Sequence, residues 1–376
     1  MRETIFALKQ CGHEVEQLII GDAFENSELK IGINKSPFKL FLKFIIPGFF
    51  WRTLKEYILI QQDKKIEFLL EKIIIDFKPD AIYERSSFLL QSGCIMSKKH
   101  AINYYVEVNA PFSEEVKKFE VAGSLFDSRG KKSEGSQLVH AKKIFTVSTV
   151  LKNHLVYTYA IDKSKIIVIP NCVNPKKLNV DEEFKKDFKK KYAILDKTLV
   201  IGFVGSIFPY HGVDLLINAF SDAKKKITEL DLKLLIVGDG YVMDELKTLA
   251  SKNGTENNVI FTDSVSHSKI FTYIDLMDIT VMAKSNWYGS PVKIFEYGAK
   301  GKSIIAPDVA PVREVMVDNE DGLLVKPFTE DISDALCKLI LNPELRKRFG
   351  DNFKNKVLSG HTWDKAAEKI LKNIIA

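Results

Sequence analysis

Leu199-Val200-Ile201-Gly202-Phe203-Val204-Gly205 is an apolar run closed by a glycine, and it sets the pattern for the second half of the chain. Five more such runs follow, at residues 232–237, 259–262, 279–283, 303–306 and 323–325. Between them lie amphipathic stretches of helical length, such as residues 213–226 and 242–252. A strand buried on both faces reads as continuous apolar sequence, and such strands belong to parallel sheets. Their alternation with helices predicts a doubly wound α/β domain over residues 197–357.

The first half repeats the alternation less regularly. Residues 16–20, 81–84, 104–108, 144–147 and 166–169 are strand candidates, and residues 49–75 read as a long helix. Together they give a second Rossmann-like domain over residues 1–178. The stretch 175–191, dense in Lys, Asp and Glu, reads as the boundary. An amphipathic helix within residues 358–376 is expected to pack back on the N-terminal domain. Residues 2–10 read as a helix ended by Gly12 and followed at once by a strand. A Rossmann-like domain begins with a strand and a glycine turn before its first helix. That first strand is therefore expected to be missing, with Met1 an internal methionine or the gene product rearranged.

Composition narrows the function. The chain has 376 residues, 45% hydrophobic and 28% charged, enough for two globular domains and unlike a collagen, a disordered tail or a disulfide scaffold. The net charge of +6 is carried almost wholly by lysine, with only seven arginines, and no nucleic-acid module appears. We expect no nucleic-acid partner; the basic balance suits phosphates or an anionic membrane. Cys11, Cys94, Cys172 and Cys337 lie far apart without metal-ligand spacing, so we expect no metal and a reducing, cytoplasmic location. Residues 39–52, KLFLKFIIPGFFWR, are too short to span a bilayer. They read either as a core helix or lid, or as a peripheral membrane contact on the cytoplasmic face.

The chemistry centres on Tyr288-Gly289-Ser290-Pro291-Val292-Lys293-Ile294-Phe295-Glu296-Tyr297. Ser290 suits an N-cap and Pro291 the first helical position, so a helix is expected to start at the carboxyl edge of the sheet. Its open N–H groups form an anion site. Lys293 sits in the first turn, where the macrodipole disfavours a cation unless a phosphate joins it. Glu296 lies on the same face and could accept hydrogen bonds from the two hydroxyls of a ribose. An i,i+3 salt bridge on a solvated helix explains the same pair. A second stretch, Gly205-Ser206 to His211-Gly212, would bring backbone amides and an imidazole to a ligand, although a histidine before a helix is often structural. The turn Val237-Gly238-Asp239-Gly240 lacks the spacing of a dinucleotide fingerprint.

In this order, with Ala310-Pro311-Val312-Arg313-Glu314 and Asp321-Gly322-Leu323-Leu324-Val325 following, the segments resemble glycosyltransferase family 4. The N-terminal half agrees through Gly12-His13-Glu14-Val15, Phe77-Lys78-Pro79-Asp80, Glu107-Val108-Asn109-Ala110-Pro111 and Ile169-Pro170-Asn171-Cys172-Val173. The resemblance implies the GT-B fold: two Rossmann-like domains facing across a cleft, and a retaining transfer from a nucleotide-sugar. It places the donor on the C-terminal domain. Glu296 matches the second glutamate of the family's E-x7-E motif, which holds the ribose. Gly289, Ser290, Pro291 and Val292 would face the diphosphate and sugar. Gly205, Ser206 and Gly238 would approach the phosphates, and Asp263, Ser264 and Val265 would lie beside the base. Three departures stand out: Tyr288 occupies the first E-x7-E position, Ser206 and His211 replace the usual Arg/Lys pair, and Asn109 aligns with a frequent histidine. Lys293, in the SPxKxFEY wording of one subgroup, would replace the missing charge.

The resulting expectation is a transferase acting on a glycan or lipid-linked acceptor in surface polysaccharide assembly, with Lys293, Glu296 and His211 at the reacting centre. The nucleotide-sugar is a substrate, and no cofactor is expected. Glu107 and Asn109 are the acceptor-side candidates; Glu114 and Glu115 read also as a surface helix start. The alternative is a degenerate, non-catalytic protein that binds nucleotide or scaffolds another transferase. A GT-B epimerase would need cleft carboxylates and histidines for which no matching set is seen.

Overall fold

The computed structural model describes residues 2–19, 48–119 and 123–375, which form two compact units. Residues 1–169 with 367–376 make the N-terminal unit and residues 170–366 the C-terminal one. The division therefore falls at Pro170, ahead of the charged stretch 175–191.

The N-terminal unit opens with α1 (Arg2–Gln10) and α2 (Gly48–Phe77), then alternates β1 (Ala81–Arg85), α3 (Ser92–His100), β2 (Asn103–Val108), α4 (Phe112–Phe119), α5 (Asp127–His140), β3 (Lys143–Thr146), α6 (Thr149–Tyr159) and β4 (Ile166–Val168). The four strands are parallel in the order β1-β2-β3-β4. Of the strand expected over residues 16–20, position 20 lies outside the described residues and 16–19 do not form a strand. Glu14, Glu16 and Gln17 are all exposed there, so the stretch offers no two-residue apolar alternation to a sheet. No strand flanks the outer edge of β1 among the described residues. The basic stretch 39–52 lies outside the described residues up to position 47, and its end is the start of α2.

The C-terminal unit runs α7 (Glu182–Lys191), β5 (Leu199–Val204), α8 (Val213–Lys226), β6 (Leu232–Val237), α9 (Met243–Lys252), β7 (Val259–Phe261), α10 (Ile270–Asp275), β8 (Ile279–Val281), α11 (Val292–Ala299), β9 (Ser303–Pro307), α12 (Ala310–Arg313), β10 (Leu323–Val325), α13 (Thr329–Ile340), α14 (Pro343–Gly360) and the start of α15 (Trp363–Ile375). The charged boundary stretch is thus largely helix. Asp181 caps α7 by accepting from the Phe184 N–H, and the Phe184 and Phe188 rings sit 5.2 and 5.4 Å from that of Tyr273. Most of its charges face out, Lys185 pairs with Asp275, and two phenylalanines anchor it.

Six parallel strands form this sheet, ordered β10-β9-β8-β5-β6-β7. Successive residues of β5 enter opposite cores: Leu199, Ile201 and Phe203 pack on one face, Val200 and Val204 on the other. Both faces are covered by helices, the reason this strand is continuously apolar. The last helix belongs with the N-terminal unit from Ala367 onward. There the Tyr105 hydroxyl donates to the Ile374 carbonyl at 3.0 Å, and Lys369 donates to the Val168 carbonyl at 2.9 Å.

Candidate functional site

β5 pairs with β6 on one side and β8 on the other. The connections that leave β5 and β8 therefore diverge, and their carboxyl ends frame the topological switch point where doubly wound sheets bind ligands. The β5 connection supplies Gly205, Ser206 and His211; the β8 connection leads into α11 with Lys293 and Glu296.

These groups are in contact. Gly205 has φ +143°, and a Cβ there would stand 2.3 Å from Lys293 Cε and 2.8 Å from Nζ. Only a glycine leaves the lysine that path. Gly238, at φ +129°, backs this loop: its Cβ would stand 2.1 Å from the Gly205 carbonyl oxygen. Lys293 Nζ lies 3.3 Å from His211 Nε2 and 5.4 Å from the centroid of the Phe203 ring. His211 Nδ1 is 2.6 Å from the Ser206 carbonyl oxygen, which can only accept. Nδ1 therefore carries the proton, and in the neutral ring Nε2 accepts from the ammonium. Burial, and then the adjacent Lys293 charge, lower the His211 pKa to about 4, in keeping with that tautomer. The imidazole expected to reach a ligand is thus a neutral acceptor that holds the ammonium.

Lys293 and Glu296 form no ion pair within 4.0 Å, which removes the i,i+3 salt-bridge reading. Burial draws the lysine down to about 8, opposed by the carboxylate's charge. Burial likewise raises Glu296 to about 7, opposed by the ammonium. The Glu296 carboxylate accepts no hydrogen bond among the described residues, so its lone pairs are open to a ligand. Tyr297, fully buried behind it, accepts from the Val204 N–H at 2.8 Å and fixes α11 to the end of β5.

The start of α11 differs from the expected capping. The helix begins at Val292, with extended Pro291 in the N-cap position and no side-chain cap. Ser290 cannot serve, because its Oγ accepts from the Asn171 N–H at 3.0 Å while its carbonyl accepts from the Asn171 side chain. The first-turn N–H groups stay uncapped, which keeps the anion site open. Gly289 donates to Asn286 Oδ1 at 2.6 Å, closing the turn before the helix. An antiparallel bridge between Gly238 and Asp263 sets the loop after β7 beside the loop after β6. Asp263 and Ser264 are exposed there and Val265 is partly buried. Asn171, Phe203 and Tyr297 have structural parts at the site that the sequence reading did not assign. Asn171 carried a signal, a proline followed by an amide side chain just after a strand.

Glu107 and Asn109 belong to the N-terminal unit. Glu107 accepts from the Tyr83 hydroxyl at 3.0 Å and from Arg85 Nε and Nη2 at 3.0 and 2.7 Å. It is a fixed, ion-paired carboxylate at the carboxyl ends of β1 and β2 rather than a free base. Asn109 follows β2 and keeps its buried Oδ1 without a hydrogen-bond partner among the described residues. Glu114 pairs with His154 at 3.1 Å in the first turn of α4, which accounts for it as a helix start. Among the described residues no group of His, Cys, Asp or Glu is arranged to hold a metal ion. No helix there is long and apolar enough to cross a membrane.

Comparison with solved structures defines the fold. A glycosyltransferase of Rickettsia africae superposes with a TM-score of 0.69 at 21% identity, covering 99% of this chain and 93% of the other. HepE of Anabaena, solved in complex with UDP, gives 0.70 at 15% identity, covering 84% and 82%. The fold is α/β of the GT-B glycosyltransferase type, with two parallel-sheet units.

Residues 184–356, most of the C-terminal unit, match the family described as Glycosyl transferases group 1. The chain is 28% identical over 235 residues to an uncharacterized glycosyltransferase of Methanocaldococcus jannaschii, covering 62% of this chain and 58% of the relative. It is 28% identical over 172 residues to an alpha-D-kanosaminyltransferase of Streptomyces kanamyceticus, covering 46% and 44%. The chain spans 44% to 58% of the length of these curated relatives.

Proposed function

We propose that this protein is a glycosyltransferase that takes a sugar from a nucleotide-sugar donor held on its C-terminal unit. One observation carries the reading: at the switch point, a partly buried ammonium and an uncapped helix start lie one helical turn from a carboxylate with no hydrogen-bond partner among the described residues. A diphosphate fits the first pair and a ribose the carboxylate. The related structure crystallised with UDP and the matched family domain support the same ligand class.

The leaving nucleotide carries the charge that develops as the glycosidic bond breaks. Lys293 and the first-turn N–H groups of α11 offset it from fixed positions, with little reorganisation at the moment of reaction. His211 restrains the ammonium, and Glu296 accepts from the ribose hydroxyls and sets the register of the donor. Within this reading the transfer retains the anomeric configuration: the leaving phosphate oxygen takes the acceptor's proton on the same face of the sugar, so the protein need supply no nucleophile. The acceptor is a glycan or lipid-linked saccharide in surface polysaccharide assembly, with the Arg85-held Glu107 and Asn109 on its side.

The test is a panel of nucleotide-sugars scored by thermal shift, followed by donor hydrolysis and transfer with the best binder. A ligand at a hundred times its dissociation constant stabilises by about 2.7 kcal/mol, an easily measured displacement. Binding that survives both Lys293→Ala and Glu296→Ala unchanged would falsify the site. Binding without turnover in the presence of varied acceptors would favour the scaffold alternative, which rests on Tyr288 and Ser206 standing where the family carries charge.

A further inference from the structure

The helix α2 buries charge and exposes apolar side chains. Its buried positions are Arg52, Glu56, Ile60, Asp63, Ile66 and Ile74, and the three charged ones are all paired. Arg52 Nε donates to Glu56 at 2.9 Å and its Nη2 to Asp127, while Asp63 accepts from the N–H groups of Gln91 and Ser92 at the start of α3. Five of its outward positions are large and apolar. Phe50 is 60% exposed, Leu54 49%, Tyr57 50%, Phe68 72% and Ile75 58%. Steps of three and four residues link them through Gln61, Lys64, Lys65 and Lys72, so all nine lie on one stripe. The stripe runs opposite the buried face for about 38 Å, at 1.5 Å per residue.

Water is a poor neighbour for so many aligned large apolar groups. The three lysines in the stripe are exposed, and no acidic residue interrupts it. Glu71 lies at its side and is paired with Lys99 of α3. A protein partner that buried this stripe would have to desolvate the lysines with it. A lipid surface would not, because the lysine stems lie along the acyl boundary while their ammonium groups reach the headgroups. The helix is long enough to cross a bilayer but too rich in charge to do so, so it would lie in the plane of one.

We propose that the outward face of α2 is a membrane-docking surface for anionic lipid. Phe50, Leu54, Tyr57, Phe68 and Ile75 enter the headgroup boundary, and Lys64, Lys65 and Lys72 meet lipid phosphates. The proposal needs neither donor nor acceptor and stands apart from the transferase reading.

The full chain is floated with vesicles of phosphatidylcholine alone and of phosphatidylcholine with phosphatidylglycerol, at low and high salt. Wild type floats with the anionic vesicles at low salt and less at high salt. The doubly substituted F68E/I75E and the triply substituted K64E/K65E/K72E each bind at least about tenfold more weakly, since apolar insertion and charge attraction are both required. All five positions are exposed, and unchanged circular dichroism and melting temperature confirm that the variants fold. The idea is overturned if wild type stays with the soluble fraction, or if both variants float as well as wild type. It is overturned too if light scattering finds a wild-type dimer that F68E/I75E dissociates while neither protein floats, because the stripe would then be covered by a second copy.

Discussion

Lys293 Nζ stands 3.3 Å from His211 Nε2, and His211 Nδ1 stands 2.6 Å from the Ser206 carbonyl oxygen. The chain of bonds runs one way, ammonium to imidazole to backbone, so a single positive charge faces the switch point and a neutral ring restrains it. Phe203 lies under the same ammonium. The charge is held by one acceptor and an aromatic face, without a counter-ion in salt-bridge range among the described residues, and it is available to an anion.

Removing that charge is expected to be the most damaging single change. Lys293→Met keeps the stem beside Gly205 and deletes the ammonium, and kcat/KM for the donor should fall at least about a hundredfold, the loss usual for one transition-state donor. Glu296→Gln should mainly raise KM for the donor, by about tenfold, since one charged hydrogen bond to the ribose is worth roughly 1.5–3 kcal/mol. Steady-state kinetics on the donor selected by thermal shift would check both. Equal losses in kcat for the two variants would contradict the separate roles.

The pH profile should be a narrow bell. Glu296 is raised to about 7 by burial, so its carboxylate ionises only as pH climbs through that value. Lys293 is lowered to about 8 by burial, so its ammonium is lost as pH passes above that value. The two groups interact and titrate as a pair, and kcat/KM reports that pair in the free enzyme. The rate constant should rise near 7 and decline above 8. Glu296→Gln should flatten the acid limb and Lys293→Arg the alkaline one, because arginine stays charged. His211, lowered to about 4, titrates too far down to supply the acid limb. An acid limb that persists in Glu296→Gln would assign it elsewhere.

Much of this site was legible before any coordinates, because its parts are local. Apolar runs such as Leu199–Val204 and Leu232–Val237 are strands over those very residues. A strand ending in glycine at a sheet's carboxyl edge announces a loop that a ligand approaches. What escaped depends on partners distant in sequence. Ser290 has the chemistry of an N-cap, but Asn171, 119 positions earlier, takes its hydroxyl. His211 has the chemistry of a cation, but Lys293, 82 positions later, makes it an acceptor. The stretch 175–191 has the composition of a linker, but Phe184 and Phe188 find Tyr273 and turn it into a packed helix. Neither does sequence composition distinguish an inward charge from an outward one on α2, where pairing with Asp127 and the start of α3 decides the matter.

His211→Phe keeps an aromatic ring, slightly larger than the imidazole, and removes both nitrogen functions. The Ser206 carbonyl and the Lys293 ammonium each lose a partner, at about 1–3 kcal/mol for a buried group left unmade. Nucleotide affinity should fall along with the unfolding midpoint in denaturant. His211→Gln, which offers an amide N–H and a carbonyl at similar reach, should recover part of both. A Gln variant no better than Phe would show that ring packing, not the hydrogen-bond chain, is what His211 contributes.

Gly238 provides a test of the backbone cradle itself. At φ +129° an alanine is strained, and its Cβ would press to 2.1 Å from the Gly205 carbonyl oxygen, which is backbone and cannot swing aside. The strain alone is worth about 1–3 kcal/mol. Relief of the contact requires the β5 and β6 loops to part, and Gly205 is the floor on which the Lys293 side chain rests. Gly238→Ala should therefore lower the melting temperature by several degrees and also weaken nucleotide binding. Gly254→Ala is the control: it too has positive φ, at +68°, but a Cβ there meets nothing within 4 Å. It should cost stability through strain alone and leave binding intact. If the two variants lose binding equally, or neither does, the close approach of Gly238 to Gly205 is not what positions the lysine.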